Sequence, residues 1–386
     1  MTVVPLGWSR KTWGEIAVLR YGKGLTDYRS SAQGVPVYGT NGQVGRTASA
    51  PLCPHAGVVV GRKGAYRGIH YSADPFFVID TAYWLYPLDQ MDLRWAYYQL
   101  LTQDINGMDS GSAIPSTSRP DFYALSVLVP PITEQRGIAA WLGSLDDKIE
   151  SNRRQCSLID DLLRQEFAAI TEHCLVRTPL ANLATFTKGV SYRSAELSLS
   201  GDTCLVTLKS FGRQGGYQPS GLKPYTGSPK PSQVLTPGEL VVAQTDLTQA
   251  ADVLGRVVRV PSDADPSRLV ASLDLVIVRA QGGTSHEYLH GVLLEERFRQ
   301  HCRSRSSGTT VLHLSRDALP QYEAPNIALV DQERFASSAR PLLERHDALG
   351  RESVRLAVLR DALLPELLSG RSRVSEAGGV GESALA

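Results

Sequence analysis

Gly22-Lys23 invites a test for a nucleotide phosphate loop, in which backbone amides and a lysine cradle phosphate oxygens. That loop needs Gly five residues before the Gly-Lys pair and Ser or Thr after the lysine. The positions hold Ala17 and Gly24, so the motif is absent. Asp74-Pro75-Phe76-Phe77 resembles the acidic-Pro-Pro-aromatic loop with which amino-methyltransferases hold a flipped base. It lacks the second proline, and no glycine-rich cofactor loop precedes it; a strand start after a turn is the better reading. A dinucleotide fingerprint is lacking as well. The eight histidines show no H-E-x-x-H or other ligand spacing. The five cysteines, Cys53, Cys156, Cys174, Cys204 and Cys302, are scattered without metal-ligand spacing, as reduced thiols of a cytoplasm would be. Asp146-Asp147-Lys148 and Asp160-Asp161 fall on a long helix and read as a solvated face. The expectation is a chain with no catalytic residues and no metal site.

The bulk numbers leave room for two or three domains in 386 residues, 42% hydrophobic and 20% charged. No apolar run approaches the roughly 18–20 residues needed to span a bilayer. The N-terminal MTVVPLGWSRKTWGEI lacks the pattern of a signal peptide. A net charge of +1 neither favours nor opposes nucleic acid; a DNA-binding chain of this balance must gather its positive charge on one surface.

The elements that would position any site are written twice. Tyr21-Gly22-Lys23-Gly24 followed by Tyr28-Arg29-Ser30 is answered by Thr187-Lys188-Gly189 followed by Tyr192-Arg193-Ser194. Gly111 with Ser118-Arg119 is answered by Gly308 with Ser315-Arg316, and Glu134-Gln135 by Asp331-Gln332, all at one spacing. The second copy is longer by about 32 residues between the anchors. In each copy, strand-like runs such as Gly57-Val58-Val59-Val60, Phe76-Phe77-Val78-Ile79 and Leu273 to Val278 come first, punctuated by Gly and Pro. A long helix follows, over 134–172 and 331–369. Thr133 stands where a cap for the first is favoured, and Asp331 suits the first turn of the second. Gly370 should stop the second helix, and Pro365 should fray or bend it near its end.

Both helices carry a heptad seam. Ile138, Leu145, Asn152 and Ile159 are spaced by seven, as are Leu142, Ile149, Cys156, Leu163 and Ile170. The second helix repeats Phe335, Leu342, Leu349, Leu356 and Leu363; its other seam, with His346, is poorer. At roughly 1.5 Å per residue such a helix is about 58 Å long, more than a domain of about 130 residues can cover. The two helices are therefore expected to pair antiparallel, with Asn152 fixing register. The fold class expected is α+β: two β-rich domains separated by two long antiparallel coiled-coil helices, with internal pseudo-symmetry. The divisions are 1–133, 134–173, 174–330 and 331–370, with a disordered tail over 371–386.

At this point the residues resemble a known family. SGSAIPSTSRPDFYALSVLVPPITEQRGIAAWLGSLDDKIESNRR, Ser110 to Arg154, resembles the junction of recognition domain and central helix in type I restriction–modification system specificity subunits. PVYGTNGQVG (Pro36 to Gly45) and RKGAYRG (Arg62 to Gly68) resemble loops of their first recognition domain, and LRDALLPELLSGRSRV (Leu359 to Val374) their closing helix. The second junction, NIALVDQER from Asn326 to Arg334, departs from the pattern. The resemblance implies two target-recognition domains, each reading one half of an asymmetric interrupted site in double-stranded DNA. It implies spacer helices that dock two methyltransferase subunits and, through them, motor-nuclease subunits. S-adenosylmethionine, ATP and Mg would belong to those partners, so no cofactor is expected on this chain; it implies no membrane and a cytoplasmic location. Two other readings stand beside it: a coiled-coil protein-binding adaptor with two β-rich domains, and a stand-alone DNA enzyme with dispersed catalytic residues.

Base edges are met by paired donors and acceptors, Arg to guanine and Asn or Gln to adenine, and phosphates by Lys, Arg, Ser and Thr. The DNA-binding candidates of the first copy are Asn41, Arg46, Arg62, Lys63, Arg67, Ser112 and Arg119. Those of the second are Lys209, Arg213, Gln214, Lys223, Gln244, Thr245, Gln249 and Arg316, several within a run that interleaves basic and aromatic residues. Ser118-Arg119 and Ser315-Arg316 recur in both copies, which suits shared scaffold or phosphate contact better than sequence choice.

Overall fold

The chain is described by a computed structural model over residues 4–29, 33–108, 114–212, 216–248, 251–261 and 268–373. It falls into two compact units, Met1–Lys148 with Leu356–Ala386, and Ile149–Arg355.

The first unit contains β1 (Ser9–Thr12), α1 (Trp13–Ile16), β2 (Ala17–Tyr21), β3 (Val35–Gly39), β4 (Gly42–Thr47), β5 (Gly57–Gly61), β6 (Ile69–Ser72), β7 (Phe77–Val78), β8 (Ala82–Pro87), α2 (Leu93–Leu101), α3 (Arg119–Ala124) and β9 (Ser126–Val129). Strands β2-β8-β5-β6 form an antiparallel sheet, β4-β3-β7 a second sheet with β3 parallel to β7, and β1 pairs with β9. From this unit starts α4 (Ile132–Thr171), whose residues from Ile149 onward belong to the second. Phe76 of the Asp-Pro-Phe-Phe run is fully buried and bridges Cys53, so the run is a strand start in the core.

The second unit continues with β10 (Arg177–Pro179), β11 (Ala184–Lys188), β12 (Thr203–Val206), β13 (Lys223–Pro224), β14 (Val234–Leu235), β15 (Leu240–Ala243), β16 (Thr245–Asp246), β17 (Val257–Arg259), β18 (Arg268–Ala271), β19 (Leu275–Ala280), α5 (His286–Leu294), α6 (Glu296–Ser304), β20 (Ser306–Ser307), β21 (Leu312–Leu314) and β22 (Glu323–Pro325). Its sheets run β11-β19-β15-β17, β13-β12-β18-β14, β10-β22 and β16-β21-β20. The first three repeat the first unit's sheets, one with an extra strand: β11-β19-β15-β17 matches β2-β8-β5-β6, and β13-β12-β18 matches β4-β3-β7, with β12 parallel to β18 as β3 is to β7. Strand β14, α6 and β20 are additions, as a longer second copy requires. The last helix, α7 (Leu329–Ser369), returns to the first unit from Leu356 onward.

Two identical devices appear once in each copy. Gly22 and Gly189 follow β2 and β11, and their N–H groups donate to Ala82 and Leu275 at 3.1 and 3.0 Å. A side chain at either would stand 2.0 Å from a carbonyl oxygen, of Ile79 or of Ser272, so only glycine fits. This fixes the register of the first repeat anchor: Gly22 is the partner of Gly189. The second device is the repeated glutamine. Gln135 accepts from the N–H of Asp92, the cap of α2, at 3.0 Å and donates to Pro130 O at 2.9 Å. Gln332 accepts from the N–H of Ser285, the cap of α5, at 3.1 Å and donates to Ile327 O at 3.2 Å. Both glutamines are buried, so each fastens a domain helix to the start of a long helix.

The long helices pair antiparallel. In the first unit Arg360 meets Asp146 at 2.7 Å. In the second, Asn152 Nδ2 donates to Glu352 at 2.9 Å, Cys156 Sγ to His346 O at 3.7 Å, and Ser338 Oγ to Glu166 at 2.8 Å. Rising numbers on α4 meet falling numbers on α7. Of the seam, Ile138, Leu142, Leu145, Leu356 and Leu363 are buried in the first unit, and Asn152, Leu163 and Leu349 in the second; Ile149, Ile159 and Leu342 are half-buried. Burying each Leu or Ile stabilises by about 1.5–3 kcal/mol. Phe167 of α4 and Phe335 of α7 close the seam in the second core, their rings 5.6 Å apart.

Two helix expectations change. Thr133 lies inside α4, and Pro131 O accepts the first helical bonds from Glu134 and Gln135, because the chain turns from β9 at two prolines. Helix α7 runs past Pro365 to Ser369: Asp361, whose carbonyl the proline leaves without a donor, is exposed to water. Gly370 ends it at φ +71°. The start of the expected disordered tail is anchored, Arg371 on Glu366 at 2.6 Å and Arg373 on Glu134 at 2.7 Å. Residues 374–386 lie outside the described residues.

Candidate nucleic-acid interface

In the first unit β5 ends at Gly61, where a Cβ would stand 2.6 Å from Thr40 Oγ1 and 2.8 Å from Arg67 Cα. The chain leaves the sheet as Arg62-Lys63 and is held on both sides. Arg62 N–H donates to Thr81 O at 2.9 Å, and Thr117 N–H to Arg62 O at 2.9 Å. The Arg62 guanidinium donates through Nη1 to Asp80 O at 2.8 Å and lies 5.0 Å from the ring centre of Tyr21 and 5.8 Å from that of Tyr83. Arg119 approaches the same Tyr21 ring at 4.8 Å. Tyr21 is 48% exposed and Tyr66, on the neighbouring loop, 66%. Two guanidiniums on one half-exposed aromatic ring are a cation–π cluster open to solvent, and aromatic rings and arginines together suit nucleic acid. Burial, then the neighbouring Tyr21, raises the Tyr83 hydroxyl above its ordinary pKa, so it stays protonated as a donor.

The remaining candidates of the first copy separate. Asn41 is exposed in the two-residue turn between β3 and β4, ahead of Gly42 at φ +107°. Arg46 is half-buried and donates to Gly34 O at 2.7 Å; Lys63 is half-buried beside Ser116. Arg67 leaves the set. It is 1% exposed, and its guanidinium donates to Gly64 O at 3.1 Å, Ile105 O at 2.9 Å, Asn106 O at 2.8 Å and Met108 O at 2.7 Å. Four backbone carbonyls thus share one buried guanidinium, so the arginine is an internal cross-link. Ser112 lies outside the described residues.

In the second unit Lys209 is exposed on a one-turn helix capped by Thr207, and Lys223 is half-buried on β13. Gly221 lets these segments meet, since a Cβ there would lie 2.1 Å from the Lys209 carbonyl carbon. Gln244 is half-buried, and its Nε2 donates to Leu273 O. Thr245 leaves the set: it is buried on β16 and its hydroxyl bonds Asp274 at 2.9 Å. Arg316 is exposed. Arg213, Gln214 and Gln249 lie outside the described residues. The recurrent pair divides its work: Ser118 caps α3 through the Asp121 N–H, while Arg119 faces Tyr21.

Two features were not singled out as site residues from the sequence. Tyr21 was read only as a repeat anchor, although an aromatic at the end of a strand facing two arginines is what marks the surface. Asp246 gathers Thr248, Val253 and Leu254 around its carboxylate. Its carboxylate accepts from Thr248 N–H at 2.7 Å, the Thr248 hydroxyl at 2.8 Å, Val253 N–H at 2.7 Å and Leu254 N–H at 3.1 Å. Burial would raise this carboxyl, but those bonds hold it below the usual carboxylate range. Among the described residues no His, Cys, Asp or Glu cluster is placed to hold a metal, and no helix is long and apolar enough to cross a membrane.

No family model matches the chain. Over 145 residues it is 28% identical to the type I restriction enzyme EcoprrI specificity subunit of Escherichia coli. That match covers 36% of this chain and 35% of the relative, so the chain spans about a third of the relative's length in the matched region. Its fold is similar to the crystal structure of the type I restriction–modification system S subunit from M. genitalium, with a TM-score of 0.57, 17% identity, and 95% and 97% of the two chains covered.

Proposed function

We propose that this chain is the DNA sequence-specificity subunit of a type I restriction–modification complex and carries no catalysis of its own. Each copy of the duplicated frame reads one half of a bipartite, interrupted site. The observation that carries this reading is the repetition itself: the same strand pairings, the same glycine contact and the same glutamine clamp occur twice, while the candidate DNA-contacting residues of the two copies differ, Arg119 and Arg316 excepted. Duplicated readers of asymmetric DNA need a common frame with different tips. The cluster of Arg62, Arg119 and Tyr21 supports a nucleic-acid surface in the first copy.

Helices α4 and α7 set the spacing of the half-sites and dock two methyltransferase subunits, which in turn bring the motor-nuclease subunits. Off the seam, Leu158 and Leu162 on α4 and Val354 on α7 are exposed in the second unit, and Val358 on α7 in the first, which supports a partner on the helices. S-adenosylmethionine, ATP and Mg act on those partners, in the cytoplasm.

Methylation-site sequencing of cells with the chain, without it, and with it restored tests the reading. A single two-part motif that disappears and returns with the chain is expected. A methylation pattern indifferent to the chain, or methylation by the purified chain alone with S-adenosylmethionine, contradicts it.

A further inference from the structure

The ends of β5 and β15 are the same place in the two copies. Strand β8 pairs with β5, and β19 with β15, in matching register: Val59, Val60 and Gly61 oppose Trp84, Tyr83 and Ala82, as Val241, Val242 and Ala243 oppose Ile277, Val276 and Leu275. The residues that follow are Arg62 and Gln244. The backbone bonds of these two residues themselves are duplicated. Arg62 N–H donates to Thr81 O at 2.9 Å, and Gln244 N–H to Asp274 O at 2.9 Å. Arg62 O accepts from Thr117 N–H at 2.9 Å, and Gln244 O from Leu314 N–H at 2.8 Å. Lys63 bridges Ser116 as Thr245 bridges His313. The side chains are tethered alike too: Arg62 donates to Asp80 O and Gln244 to Leu273 O, the carbonyls one residue before Thr81 and Asp274.

We propose that Arg62 and Gln244 are the equivalent base readers of the two copies, Arg62 selecting a guanine in one half-site and Gln244 an adenine in the other. The inference rests on the proposed role of the chain in DNA recognition. Residues that serve the frame are the same in both copies, as Gly22 and Gly189, and Gln135 and Gln332, show. Here the backbone and the tether are kept and the head group is exchanged, and both side chains remain partly exposed. A guanidinium has five N–H donors, and Asp80 O takes one, so the planar fork keeps the donors that guanine O6 and N7 require. The Tyr21 ring lies 5.0 Å from the guanidinium carbon and limits where the fork can go. A glutamine amide that gives one N–H to Leu273 O retains one N–H and its carbonyl oxygen, the donor and acceptor that pair with adenine N7 and N6. The tether fixes each side chain before DNA arrives, so less rotamer freedom is lost on binding. Arg119 and Arg316 are the same residue in both copies and are left to positioning or phosphate contact.

Reciprocal head-group exchange is the test, because a new preference cannot arise from misfolding. Arg62→Gln and Gln244→Arg are introduced separately into the full chain, and the methylated motif is sequenced in cells. Arg62→Gln is expected to replace one guanine by adenine in one half-site only, and Gln244→Arg one adenine by guanine in the other. A variant that stops methylation is followed by competition binding of its complex to duplexes carrying single base changes. A roughly ten- to hundredfold loss of discrimination confined to that one position supports the assignment. Equal weakening on every duplex overturns it, as does a motif unchanged in both variants or altered in both halves by one of them. A wild-type chain on which no motif depends overturns the proposed role itself, so the two failures are distinguishable.

Discussion

Arg62 and Arg67 sit in one loop, five positions apart, and end in opposite environments. Arg67 is buried against four backbone carbonyls, whereas Arg62 is half-buried over a tyrosine ring. Replacing Arg67 by Met leaves those carbonyls without donors, at a cost of about 1–3 kcal/mol for each group left unsatisfied. A drop in melting temperature of several degrees, with an unchanged DNA motif in any chain that still folds, is the expected result. Nothing in the sequence separates these arginines, because which is buried depends on the carbonyls that a segment some forty residues away turns inward. Thr245 was misplaced for the same reason: its partner Asp274 arrives from the turn between β18 and β19. Asp246 gives a pH signature. Its carboxyl is held low in the folded chain, so its stabilisation is present above the ordinary carboxylate pKa of about 3.9 and is lost as pH falls through the lowered value. Asp246→Asn should therefore lower the melting temperature near pH 7, and the gap from the parent should narrow as pH falls through the lowered carboxyl pKa. A gap that does not change with pH would show that the carboxylate charge is not what holds Thr248, Val253 and Leu254 together.

The long helices were the most legible elements, because a heptad repeat is a local pattern and a seam needs only a partner with the same repeat. Their antiparallel pairing, and burial at most seam positions, follow from Leu and Ile spaced by seven. Their ends were less legible. Thr133 had the type of a cap, but two prolines had already turned the chain, and Pro365 lies in the last turns of α7 with the residue four before it, Asp361, exposed. Asn152 is fully buried on the seam, and its Oδ1 has no partner. Asn152→Leu is expected to raise the melting temperature by a few degrees, since a polar residue on a seam favours register at the expense of stability. A lower melting temperature would mean that its bond to Glu352 outweighs the buried amide. The glutamine clamps offer a matched pair. Gln135→Ala and Gln332→Ala each leave a helix-cap N–H without its acceptor, and each should cost about 1–3 kcal/mol in denaturant unfolding of its own unit. No loss at either site would remove the clamp from the account.

At the scale of the whole molecule the duplication was legible in scattered anchors, and their meaning emerged only in three dimensions. The repeated Glu-Gln and Asp-Gln pairs are clamps on α2 and α5, and the repeated glycine is a close approach of backbone to backbone. The equivalence of Arg62 and Gln244 was hidden, because the two residues share no type and the inserted segments break any constant spacing between the copies. A common frame with different tips makes two predictions about the site that is read. Four residues inserted after Asn152, matched by four after Leu349 so that the seam stays paired, add about 6 Å of helix. With DNA rising 3.4 Å per base pair, the non-specific spacer should lengthen by one or two base pairs while both half-sites keep their sequences. The more direct measurement exchanges residues 1–133 for the corresponding domain of a relative and sequences the methylated motif in cells. Two independent readers on one frame predict that one half of the motif changes and the other half stays as it was. A motif in which both halves change, or neither does, would contradict that division of labour.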